Sequence, residues 1–264
     1  MHGNVLVKLQ LGTVVSCVLL SFACLALATS GIGQSLSKGK GNLRVMTYNV
    51  DEGTDYLEVQ QATNVSEFLV AVGQTITQVR ATDSPSRMQA VAKQIIAAGP
   101  ALVSLQELDQ WYTAPFTLAG GCGAPTLDFD FLHELQDALA AQGGHYALAK
   151  KAQQYAFPLI PGVILPSTFL CVSVVDEIAI LARTDLDPSN YQWSNPQSGQ
   201  YVAVLQFPSP FGMLPLPRAW VSVDAIFMGR RSGSLARIWS RWSRASERRK
   251  EASCVLVRQT LPCR

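Results

Sequence analysis

Two short apolar runs, residues 43–50 (LRVMTYNV) and 101–108 (ALVSLQEL), constrain this fold more than any other feature of the chain. Each has the length of a buried strand and is rich in aliphatic and β-branched residues. Between them, residues 86–98 space Met88, Val91, Ala92, Ile95 and Ile96 at helical intervals, and Gly99-Pro100 supplies a stop. Strand, amphipathic helix, strand predicts a parallel pair in an α/β layer, the arrangement that receives ligands at strand carboxyl ends. Each run delivers one oxygen-bearing side chain near that end, Asn49 in the first and Glu107 in the second. An amide and a carboxylate side by side suit a hard cation such as Mg²⁺, which takes one or two protein oxygens plus water and substrate phosphate. Taken singly, Asn49 reads as a cap on a strand-to-loop turn and Glu107 as a solvated strand end. The metal reading rests on the pair.

The rest of the chain extends this pattern. Asp51, Glu52 and Asp55 follow Asn49 closely, as carboxylates gathered at the strand end or as an ordinary solvated loop. Residues 67–80 carry a weaker helical pattern, and residues 110–128 read as irregular around Gly120-Gly121-Cys122-Gly123-Ala124-Pro125. Helical spacing returns over 129–142 through Leu132, Leu135, Ala138 and Leu139, with Gly143-Gly144 as its end. Strands are expected at 146–149, 172–183, 200–207 and 219–226, the second with a bend at Asp176. Residues 157–168, with Pro158, Pro161 and Pro166, read as a long apolar loop.

Strand-terminal MTYNV followed by LVSLQEL resembles the first two signatures of the endonuclease/exonuclease/phosphatase superfamily of metal-dependent phosphodiesterases and phosphatases. The run AILAR, residues 179–183, and RAWVSVDA, residues 218–225, are similar to later strands of that family. The resemblance covers about 42–229. It implies a two-sheet α/β sandwich flanked by helices, Asn49 and Glu107 as catalytic metal-binding residues, Mg²⁺ or Mn²⁺ as the cofactor, and a phosphoester as the substrate. The substrate class stays open among DNA, RNA, phospholipid headgroups and small phosphate esters.

The N-terminus and the tail carry separate expectations. Residues 11–28 are mostly apolar, uncharged and end in Ala26-Leu27-Ala28. They read as a secretory signal cleaved after Ala28, giving a secreted or periplasmic protein, or alternatively as a membrane anchor. Residues 29–41 are Gly/Ser/Lys-rich and read as a flexible linker. Cys17 and Cys24 fall in the apolar run. Of the four remaining cysteines, Cys122 and Cys171 lie in loop-like neighbourhoods, either joined as a disulfide or left as free thiols.

The net charge of +2 conceals an asymmetry, because residues 230–264 carry +8 and residues 1–229 carry −6. This basic tail lacks a period of two and a sustained apolar helical face, so it reads as low in order. It also lacks the Thr-His-Leu, Gly-Asp-Phe-Asn and Ser-Asp-His segments that the family resemblance leads one to expect there. Joining the third base of each codon from Arg231 to Arg241 with the next two bases permits Phe-Arg-Phe-Val-Ser-Thr-His-Leu-Glu-Ser, which contains the absent histidine motif. A frameshifted tail therefore explains both the basic composition and the missing motifs; sequencing the DNA across codon 230 tests this. His2, His133 and His145, the only histidines, read as bystanders. With roughly half of the second sheet missing, such a chain is expected to leave an exposed sheet edge and an uncovered core, and so to be poorly soluble. The expected function is thus that of a secreted metal-dependent phosphodiesterase or phosphatase, impaired or inactive as written. The alternatives are a non-catalytic remnant and a binding module whose basic tail contacts nucleic acid or an anionic membrane.

Overall fold

The computed structural model describes residues 43–165, 168–227, 234–240 and 258–259; the signal and linker expectations lie outside them. Strands β1 (Val45–Asn49) and β2 (Leu102–Gln106) run parallel, with Asn49 opposite Gln106. The crossover passes through helices α1 (Leu57–Gln61), α2 (Val65–Ala81) and α3 (Ser84–Ala98). Asn64 caps α2 by accepting the Glu67 amide at 3.0 Å, and Gly99 ends α3 in the left-handed region at φ 57°. Phe68, Val72, Ile76 and Val79 of α2 and Met88, Val91 and Ile95 of α3 form one buried cluster with Val103 and Leu105 of β2. Each such burial contributes about 1.5–3 kcal/mol.

The segment expected to be irregular forms strands β3 (Gln110–Thr117), β4 (Gly121–Cys122) and β5 (Thr126–Asp130). Long-range pairing with a later strand organises this stretch, and the glycine-rich run is only its tight turn. Helix α4 (Phe131–Ala141) follows, capped by Asp130, whose Oδ1 accepts the His133 amide at 2.9 Å. The apolar loop expected at 157–168 is also corrected. After β6 (Tyr146–Ala156), residues Ile160–Leu165 form strand β7, which among the described residues pairs with β8 (Thr168–Arg183) alone. Pro161 is tolerated there because an edge strand has one side without ladder bonds.

Strand β8 is the axis of an eight-stranded mixed sheet. Its C-terminal half pairs with β2 and β6, and its N-terminal half with β3 and β7. Helix α2 approaches β7 closely at two glycines: a Cβ on Gly73 would stand 2.0 Å from the Val163 carbonyl oxygen, and one on Gly162 would stand 2.8 Å from the Gly73 nitrogen.

The second sheet consists of β9 (Tyr191–Gln200), β12 (Ala219–Phe227), β13 (Ser234–Ser240) and β14 (Arg258–Gln259). Between β9 and β12, strands β10 (Leu205–Ser209) and β11 (Gly212–Leu216) make a separate hairpin. The strand expected at 200–207 therefore divides between the end of β9 and β10. Ala219, Val221, Val223 and Ala225 of β12 meet Leu102, Ile178, Ile180 and Ala182 of the large sheet. The result is a mixed α/β fold in which a large mixed sheet has a second, small sheet on one face and helices on the other. Within the basic tail, β13 lies antiparallel to β12 from Phe227 opposite Ser234 to Val221 opposite Ser240. Cys122 and Cys171 are joined as a disulfide with Cα atoms 5.8 Å apart, tying β4 to β8.

Candidate active site

The two residues singled out from sequence lie at the carboxyl ends of the neighbouring strands β1 and β2, Asn49 exposed and Glu107 half-buried. The parallel register sets Asn49 beside Gln106, and the Val50 amide donates to the Gln106 carbonyl at 3.1 Å, so Glu107 is the first residue beyond the paired ladder. There the chain turns sharply: Glu107 has φ 59°, and Asp51 and Tyr56 in the facing loop also have positive φ. Three non-glycine residues in this costly region within one strand-end cluster are a signature of a site held in place by its surroundings. Arg87 is one such restraint, donating to the carbonyls of Val50 at 3.1 Å and Asp51 at 3.0 Å.

The loop after β1 sorts its carboxylates. Asp51 is exposed and accepts the Gly53 amide at 2.8 Å; Asp55 is exposed and accepts the Leu57 amide at 3.1 Å. Glu52 instead turns inward. Its amide donates to Glu107 Oε2 at 3.2 Å, and its own Oε2 accepts the Tyr155 hydroxyl at 3.2 Å.

Two further carboxyls arrive from a break in the sheet. The residues of β8 facing the helices are Val172 and Val174 before the break but Ala179 and Leu181 after it, so the alternation changes parity across Asp176. The strands beside it are irregular at the same level. The register of β6 shifts around Gln154, and on the other side Glu107, Leu108 and Asp109 link β2 to β3, with the Leu108 amide donating to the Glu177 carbonyl at 3.0 Å. Asp176 and Asp109 are thereby buried together. Asp176 Oδ2 accepts from Gln154 Nε2 at 2.8 Å and lies 3.9 Å from Arg218 Nη1, while neither oxygen of Asp109 has a hydrogen-bond donor.

Gathering Glu52, Glu107, Asp109 and Asp176 in a buried place makes full ionisation costly. Burial above all, then the charges of Glu107 and Asp176, holds the Glu52 carboxyl well above the usual range. Burial followed by the charges of Glu52 and Asp176 does the same to Asp109. Asp176 is pushed up to about 7 by burial, with Arg218 opposing. A proton on Asp109 directed at Asp176 gives Asp109 the partner that the ionised pair lacks. Tyr56 and Tyr155 are also held well above their ordinary value, by burial and then by the Glu52 charge.

The cluster is oxygen-only, which suits Mg²⁺ or Mn²⁺ over softer metals. Among the described residues, no group of three or more His, Cys, Asp or Glu side chains is disposed to hold a metal ion. Asn49 and Glu107 offer one amide and one carboxylate oxygen, a donor set that fits a cation keeping most of its water and a substrate oxygen, but not a closed protein cage. Asn49 Oδ1 accepts the Asp51 amide at 2.9 Å, leaving its second lone pair.

Sequence reasoning left several members of this site unassigned. Glu52 appeared only as part of an acidic loop, and Asp109, Gln154, Tyr155 and Arg218 were not singled out. Asp109 had a signal, because it stands two residues beyond Glu107; Arg218 and Tyr155 had none. Asp176 and Arg183, which the sequence allows to face a phosphate, to pair with each other or to be exposed, are apart: Arg183 pairs with Asp185 at 2.6 Å, seven residues along β8 from Asp176, about 23 Å at strand rise. His133 is exposed on α4 and lies 3.6 Å from Asp137. Comparison with models of protein families, with curated proteins and with solved structures returns no match.

Proposed function

We propose that this chain is a secreted phosphoester-binding protein of the endonuclease/exonuclease/phosphatase type, with Asn49 and Glu107 at the centre of a metal-dependent phosphodiesterase or phosphatase site. The observation that supports this reading is the position of Glu107, one residue past a parallel strand pair, in a left-handed backbone conformation and amid carboxyls whose shared charge a bound cation would offset. The two-sheet α/β architecture is compatible with the family resemblance, and the Cys122–Cys171 disulfide is compatible with export.

Asn49 and Glu107 would hold Mg²⁺ or Mn²⁺, which when bound neutralises charge on phosphoryl oxygens and the leaving group. The Glu52 amide orients Glu107 through its 3.2 Å hydrogen bond, and the Tyr155 hydroxyl orients Glu52. Arg218, over the Tyr155 ring at 5.3 Å from its centroid, adds positive charge to the same wall. Among the described residues no histidine is placed as a general base, since His133 lies on an exposed face of α4 and His145 precedes β6. Hydrolysis is accordingly expected to be weak, and binding is the property that survives.

Calorimetric titration with Mg²⁺ tests the proposal, alongside hydrolysis of bis(p-nitrophenyl) phosphate with Mg²⁺ or chelator. Wild type should bind Mg²⁺, and Glu107→Gln should lose at least tenfold in affinity. Equal affinities in the two proteins would remove Glu107 from the site. The reading as a nucleic-acid or membrane module requires DNA binding with a steep salt dependence that deletion of residues 230–264 abolishes.

A further inference from the structure

Behind the carboxyl cluster lies an apolar cavity of about 90 Å³, bounded by α1 and α2 on one side, β3 and β8 on another, and the β10–β11 hairpin as its outer wall. Glu52, Tyr155 and Arg218 belong both to this cavity and to the candidate active site. Glu52, Tyr155 and Arg218 thus join the cavity to the carboxyl cluster, while Phe68, Val72, Ile160, Leu214 and Leu216 give most of the remaining wall a hydrocarbon surface.

A nucleoside or sugar needs donors and acceptors around its circumference, since polar groups buried without partners are costly. These walls are mostly hydrocarbon, and the hydroxyls of Thr75 and Ser173 within them already donate to the carbonyls of Ala71 at 3.0 Å and Phe157 at 2.7 Å. Two donors belong to the lining: Trp111, only 1% exposed, whose indole N–H has no acceptor among the described residues, and the buried Tyr56 hydroxyl beside Glu52. The hairpin closing the cavity is itself apolar on its outside, with Leu205, Phe211 and Met213 exposed, and Phe211 meets Phe68 edge to face at 5.4 Å.

We propose that this cavity receives a short alkyl segment of the ligand, so that the phosphoester bound at Glu107 and Asn49 is an alkyl or acyl-chain phosphoester rather than a nucleotide or sugar phosphate. The inference rests on the phosphoester reading above. A dry engineered cavity of about 150 Å³ admits benzene. By that measure this one holds roughly three to five carbons, with further chain emerging along the hairpin. The Trp111 N–H then meets a single ligand oxygen near the start of the chain. Free alkyl phosphates and lipids share this chemistry.

The test is calorimetric titration of the full chain with inorganic phosphate and with ethyl, butyl, hexyl and octyl phosphate below their micellar concentrations, in Mg²⁺. Affinity should rise about fourfold per methylene up to the fourth or fifth carbon and then flatten. Leu214→Trp, on the surface hairpin, should lower hexyl phosphate affinity at least tenfold and leave inorganic phosphate unchanged. Leu214→Ala should move the break to a chain one or two carbons longer, so the test does not depend on one variant. Co-sedimentation with phosphatidylcholine vesicles that Leu214→Trp abolishes would identify a lipid as the source of the chain, and binding of soluble esters alone would identify a free ester. Affinity independent of chain length, or a length dependence identical in Leu214→Trp, overturns the proposal. Chain-length dependence that survives Glu107→Gln and chelation unchanged would keep the cavity and refute the metal site; Mg²⁺-dependent phosphate binding without chain-length dependence would do the reverse.

Discussion

Replacing Asp176 with Asn tests the electrostatics of the strand break directly. Asp176 is 2% exposed, and its carboxyl is pushed up to about 7 from an ordinary value of 3.8. A carboxyl whose pKa is higher in the folded state holds its proton more tightly there. It costs nothing below about pH 4, where both states are protonated, and its penalty grows until the pH passes about 7. At 1.36 kcal/mol per unit, the full penalty is on the order of 4 kcal/mol, of which about 2–3 kcal/mol develops between pH 5 and 8. Asn keeps an acceptor for Gln154 Nε2 and cannot ionise. The attraction of Arg218, 3.9 Å away, is lost, which offsets part of the gain. Urea unfolding followed by circular dichroism at pH 5, 6, 7 and 8, with the disulfide intact, should show wild type losing stability as pH rises. Asp176→Asn should lose less, so the difference between the two widens by about 2–3 kcal/mol across the series. Parallel curves, or a variant that falls behind wild type as the pH rises, would refute the assignment of Asp176 as a buried carboxyl with a raised pKa.

Mg²⁺ at pH 8 should raise the midpoint of thermal unfolding of wild type, chelator should reverse the gain, and Glu107→Gln should show none; an equal gain in both proteins would place the ion elsewhere. Reducing the Cys122–Cys171 disulfide, which closes a 49-residue separation, should cost about 4 kcal/mol in the loop-entropy account, read as a lower urea midpoint with reductant. Gly73→Ala should destabilise by about 1–3 kcal/mol despite the better helix propensity of alanine, because the new methyl meets the Val163 carbonyl at 2.0 Å; a stabilised variant would mean that α2 and β7 are not in contact.

The legible parts of the fold were those set by local pattern. The parallel pair, α3, α4 and the strand over 219–226 all follow from residue spacing, and the structure places each within a few residues of its expected position. The stretches over 110–128 and 157–168 were missed because their structure comes from β8. Pro115 and Pro161 are breakers when read alone, yet Pro115 stands opposite Leu170 and Pro161 opposite Cys171 across the ladder. The site followed the same rule. Asn49 and Glu107 end the elements that carry them, so strand reading locates them. Tyr155 and Asp176 meet only because a register shift in β6 falls beside the parity change in β8, a coincidence of two irregularities that no periodicity encodes. Arg218 comes from the turn before β12, and only the stacking of the two sheets brings it to the cluster.

The sixteen-residue strand β8 also governs how this chain reaches its fold. Leu102 waits for Ala182 and Gln110 for Val175, so much of the large sheet consists of pairings that close long loops before they gain contacts. The parallel pair and its helices form from local sequence, but one edge of β2 remains unpaired until β8 arrives. Folding should therefore be slow for a domain of this size, and the interval before β8 docks is when open strand edges are available to other chains. A charged substitution in β8 at Ile180 should thus lower the yield of refolded protein by a larger factor than it would for a strand with one neighbour, since it interrupts the pairing of β2 and β6 together.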